Sequence, residues 1–124
     1  MPIRWCLDAG VVHVHATGTC TADDFYEFRR DVWVKDRRTD HCHSVLMDFS
    51  AVEQLSLSAV EMFRLANQHG WWSRLKAAVV APEDSAFGMM QIYAGYVEEA
   101  EDAEDERMRV CRDHCEASRW LNLH

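Results

Sequence analysis

A chain of 124 residues with 48% hydrophobic content has the length of one domain and should bury roughly two-thirds of its unfolded surface without metals or disulfides. Its formal net charge of −8 argues against a nucleic-acid surface, because phosphate neutralisation needs clustered Lys and Arg. No run approaches the roughly 20 apolar residues of a membrane-spanning helix, and Met1-Pro2-Ile3-Arg4-Trp5 has no signal-peptide core, so a cytoplasmic location is expected.

Ile3, Trp5 and Leu7 alternate with Arg4, Cys6 and Asp8, and Val12, Val14 and Ala16 alternate with His13, His15 and Thr17. Period two on either side of Ala9-Gly10 predicts a β-hairpin with one buried face, ending at Gly18. Thr21 followed by Asp24 predicts a capped helix start. Phe25, Phe28, Val32 and Trp33 then recur at helical spacing. The apolar run Ser44 to Phe49 reads as a central strand buried on both faces. Ser58 with Glu61 forms a second capping box, followed by a stripe of Phe63, Ala66 and Asn67, with Gly70 as C-cap. Leu75 to Ala81 is another central strand, stopped by Pro82. The next helix begins at Glu83-Asp84-Ser85 and carries Phe87, Met90, Tyr93, Ala94 and Val97. Met108 and Val110 mark a last strand, and Asp113 with Glu116 opens a terminal helix bearing Ala117, Trp120 and Leu121. The order ββαβαβαβα predicts one α/β domain over residues 1–124. Its mixed central sheet should pair mostly in parallel through right-handed crossovers, with helices packed against it.

This order resembles that of the STAS domain, the SpoIIAA-like fold of anti-sigma factor antagonists. Asp48-Phe49-Ser50-Ala51-Val52, leading to Ser56-Leu57-Ser58-Ala59, is similar to the family's strand-turn-helix motif, in which Asp-Leu-Ser-x-Val leads into Asp-Ser-Ser-Gly. The stretches Ala78 to Met90 and Val110 to Leu121 resemble bacterial STAS-like proteins of unknown function, sometimes grouped with the lipid-binding CRAL-TRIO fold. The resemblance implies a regulatory or protein-interaction module without catalytic activity. The alternative is a binder or sensor of a small apolar, lipid-like ligand. The resemblance also places Ser58 at the family's phosphorylatable serine, with Ser56, Leu57 and Ala59 replacing its usual neighbours.

Ser58, and beside it Ser56, is therefore a candidate phospho-acceptor or helix-cap switch. The cap alone explains Ser58, since a hydroxyl there satisfies backbone N–H groups, while a phosphate at the same place would meet the helix dipole. Trp71 and Trp72 are adjacent and cannot both face one core, which makes them a candidate interface for a homodimer or another protein. Phe87, Met90 and Tyr93 are candidate walls of an apolar pocket. His13 and His15 share a strand face and are weak candidates for a metal, without zinc-finger or HExxH spacing to support them. No cofactor is expected, nor any catalytic residue. The five cysteines, Cys6, Cys20, Cys42, Cys111 and Cys115, have no CxxC spacing and are expected to be reduced. Asp48 ends a central strand, where α/β proteins often place functional groups.

Overall fold

A computed structural model describes residues 2–34, 41–67, 75–101 and 106–123. The elements are β1 (Ile3–Asp8), β2 (Val11–Thr21), α1 (Ala22–Arg29), a π-turn (Arg30–Val34), β3 (Ser44–Ser56), α2 (Ala59–Asn67), β4 (Lys76–Val80), α3 (Asp84–Glu101), β5 (Met108–Cys111) and α4 (His114–Trp120). The five strands form one sheet in the order β1-β2-β3-β4-β5. Only β1 and β2 pair antiparallel; the other three pairings are parallel. This is the α/β architecture and element order expected from the sequence.

The hairpin closes through Ala9 and Gly10, whose φ values of 51° and 80° give the two-residue turn that matches strand twist. Gly10 is doubly required. A Cβ there would lie 2.8 Å from Cδ2 of His43, whose backbone N–H donates to the Gly10 carbonyl. Thr21 caps α1 reciprocally with Asp24, as the sequence predicts.

Two strands run further than the sequence suggests. Gly18 does not end the hairpin; it takes a φ of 65° within β2, which continues to Thr21. Likewise Ser50 to Ser56, expected as a turn, extends β3 and pairs with Thr17 to Thr21. The register slips between His15 and Thr17 and again between Gly18 and Thr19, each time placing an extra residue on β3. These bulges put the buried residues of the extension at Phe49, Val52 and Leu55. A spacing of three hides a strand from any period-two reading.

The sheet divides the core. One face packs Val12, Val14, Val45, Met47, Ala77 and Val79 against α1, α2 and α3. The other packs Leu46, Ala78, Val80 and Cys111 against Ala117 and Leu121 at α4. Burial of Ser44 to Phe49 on both faces fits a central strand. In α2 the buried side is Met62, Leu65 and Ala66. The stripe expected to include Phe63 is thus rotated by about one position, leaving that ring half exposed. Gly70, Trp71 and Trp72 lie outside the described residues, as does the side chain of Trp33. No helix among the described residues is long and apolar enough to cross a membrane.

Candidate functional site

Helix α2 begins at an exposed corner. The Ser58 N–H donates to Oε1 of Glu61 at 2.9 Å, and the Glu61 N–H donates to Oγ of Ser58 at 3.1 Å. Both halves of the capping box are present, so the Ser58 hydroxyl already serves the helix. Ser56 ends β3 opposite Thr21, the cap of α1. The two serines and both helix starts therefore share one rim of the sheet.

An apolar surface lies one turn further along. Val60, Phe63 and Ile92 are 58%, 50% and 50% exposed, and they are the large apolar side chains left in solvent among the described residues. All sit on α2 and α3. The Phe63 ring meets Tyr96 edge-on, with centroids 5.5 Å apart. Val60 and Phe63 are three apart on one helix, and Ile92 and Tyr96 are four apart on the other, so each pair shares a helix face.

Beneath these helices is a small apolar cavity of about 30 Å³, whose walls include Phe25, Phe28, Met47, Leu65, Met90 and Tyr93. Arg29 reaches into it. Its Nη2 donates to the Leu65 carbonyl at 2.6 Å and to the Tyr93 hydroxyl at 3.0 Å. Burial lowers the Arg29 pKa and raises that of the Tyr93 phenol, so the phenol stays neutral and the pair is a hydrogen bond rather than a salt bridge. Met90 and Tyr93 line this cavity; Phe87 does not, and instead lies half-buried with the Arg112 guanidinium 3.8 Å from its ring centre.

The opposite face of the sheet holds a polar cluster centred on Asp48. Oδ1 accepts from the Ser50 N–H at 2.9 Å and from the Ser50 hydroxyl. Oδ2 lies 3.0 Å from Nε2 of His114 and 3.4 Å from Nδ1 of His15. Burial pushes the Asp48 carboxyl up, but the Ser50 and His114 hydrogen bonds outweigh it and hold the pKa below its ordinary value. An ionised carboxylate only accepts, so the contact places a hydrogen on Nε2 of His114. His15 thus joins Asp48, whereas His13 stands opposite Cys6 and Leu46. Among the described residues no three His, Cys, Asp or Glu side chains are placed to hold a metal ion. Neither the cavity nor the open grooves at the two sheet edges include His15, Asp48 or His114 among their walls. What the cluster does is fasten α4 to β2 and β3.

Sequence reasoning marks Asp48 by its place at a strand end but misses His114, 66 residues away. The available signal is a histidine opening the helix after the last buried strand. All five cysteines are free. Burial raises the Cys20 thiol, against the thiolate that a helix start would favour. Burial likewise pushes Cys111 up to about 11, with Glu116 adding to it.

No family model matches the chain, and no curated protein matches it. Among solved structures, the chain is similar to a protein of the DUF3478 family from Shewanella loihica PV-4, described as uncharacterised and having a SpoIIAA-like fold. The TM-score is 0.60 over 96% of this chain and 91% of that one, at 18% identity. The chain has a SpoIIAA-like fold. The likeness runs the length of the described sheet and its helices, and at this identity it speaks to the SpoIIAA-like architecture alone.

Proposed function

We propose that this SpoIIAA-like chain is a non-catalytic regulatory module of the cytoplasm that docks a protein partner on its α2–α3 face. The observation that carries this reading is the clustering of Val60, Phe63 and Ile92 on two neighbouring helices, joined by the Phe63–Tyr96 contact. Exposed apolar residues scattered singly need no explanation; a cluster does. Among the described residues, these four side chains alone fall short of the roughly 800 Å² per partner of a stable interface, which suits a transient contact. Two copies carrying −8 each repel, which favours a different protein with a basic rim over a second copy. Ser58 sits at the start of the same helix. A phosphate there would compete with Glu61 for the cap and alter the rim's charge.

The competing reading is an apolar-ligand binder. The cavity at Met90 and Tyr93 has the right lining, but at about 30 Å³ it is the size of about one water, and an acyl chain needs α2 and α3 to part.

The test places a photo-crosslinking phenylalanine analogue at Phe63, and at Glu53 as control, in the protein's own cell. The expected result is one defined protein adduct from position 63, lost in an Ile92→Glu background, with purified protein monomeric by sedimentation. Adducts equal at both positions refute the surface. A copurified acyl chain in a native mass spectrum supports the ligand reading instead.

A further inference from the structure

β1 is the edge of the sheet, and its outer side is an open template for another strand. The Thr17 N–H donates to the Pro2 carbonyl at 2.8 Å, which makes Pro2 and Thr17 a hydrogen-bonded antiparallel pair. Such pairs alternate with non-bonded ones. In the register Arg4 with His15 and Cys6 with His13, Arg4 and Cys6 therefore turn their peptide groups inward to β2. Ile3, Trp5 and Leu7 turn theirs outward, where no described strand lies, because β1 pairs only with β2. Among the described residues, β1 has no central proline, no bulge and no covering strand.

The outer flank opens into a groove of about 520 Å³ between β1 and α1. Ile3, Trp5 and Phe28 supply apolar wall, and Asp24, Glu27 and Asp31 supply carboxylates. Those three are spaced three and four apart, so they line one face of the helical segment. Among the described residues, Arg4 is the one cation in the groove's wall.

We propose that this groove takes an extended, basic segment of another protein, added to β1 as a sixth strand. Backbone bonds to Ile3, Trp5 and Leu7 would supply the pairing. Alternate Lys or Arg side chains would lie over Glu27, within the negative field of Asp31 and of Asp24, whose Oδ2 also accepts from Thr21. The same charges disfavour a second copy, because pairing β1 with β1 sets two acidic rows against each other. This surface shares no residue with the α2–α3 face, and the two stand or fall separately.

The test uses an acetylated eight-residue peptide of alternating Lys and Val, with an alternating Glu and Val peptide as control. Amide hydrogen exchange by NMR is the readout. Free protein should exchange Ile3, Trp5 and Leu7 amides fast and Arg4 and Cys6 slowly. The Lys peptide should slow the first three and leave the others as they were. Glu27→Lys, on an exposed side chain, should weaken binding about fivefold. Leu7→Pro, which removes one outward N–H and no β2 bond, should weaken it as well. Equal binding of both peptides, or unchanged exchange at the three amides, overturns the proposal. Protection that rises with protein concentration alone overturns it in favour of self-pairing.

Discussion

Replacing Asp48 by Asn tests whether the polar cluster fastens the two faces of the fold. Asn keeps an acceptor for the Ser50 N–H and loses the charge that holds His114 and His15. Hydrogen bonds to a charged group are worth roughly 1.5–3 kcal/mol. The His114 side chain is 53% exposed, so the low end applies, at about 1.5 kcal/mol for the loss. For a chain of this size that corresponds to a fall in melting temperature of about 6 °C. The pH dependence sharpens the test. The folded Asp48 pKa lies below its unfolded value, so the charge contributes its full stability above the unfolded pKa of about 3.9. That contribution is lost as pH falls through the lower, folded pKa. Thermal unfolding followed by circular dichroism should therefore show a wide gap between wild type and Asp48→Asn at pH 7, narrowing as acid takes the pH below the ordinary carboxylate range. Equal melting temperatures at pH 7, or a gap unchanged by acid, would refute the reasoning.

Ser58→Ala should cost about 1 kcal/mol in urea unfolding, the ordinary worth of a helix cap, and Ser58→Asp should recover most of it. Gly10→Ala should destabilise by about 2 kcal/mol or more, since a positive φ and a Cβ 2.8 Å from His43 act together; the same unfolding curves measure it. Thiol labelling at pH 8 should modify exposed Cys6 and Cys115 first. Cys20 and Cys111, buried and raised in pKa, should wait for unfolding, and mass spectrometry of timed samples orders them.

Most of the architecture is legible in the sequence because each element announces itself locally. Thr21 and Ser58 name helix starts through carboxylates three residues on. Ala9-Gly10 names its turn. Ser44 to Phe49 and Leu75 to Ala81 name central strands by unbroken apolar character. Legibility stops where tertiary geometry overrides period. The β3 extension fails the alternation test because two bulges shift its faces, and Phe63 reads as core although the helix turns it outward onto Tyr96. The Asp48 cluster is half legible. Asp48 and His15 each stand out singly, but their meeting depends on strand register, and the arrival of His114 depends on where α4 begins. The apolar surface at Val60 and Ile92 is invisible in the sequence, since nothing local distinguishes an exposed Ile from a buried one.

The division of the core by the sheet has a consequence for the chain as it is being made. α1, α2 and α3 cover their face progressively, each arriving soon after the strand it packs on. The other face waits. Leu46, Ala78, Val80 and Cys111 are all in place before α4 exists to cover them with Ala117 and Leu121. Until α4 docks, the centre of the sheet presents a bare apolar stripe. A folding intermediate that has covered the first face and not the second is therefore the aggregation-prone one to expect.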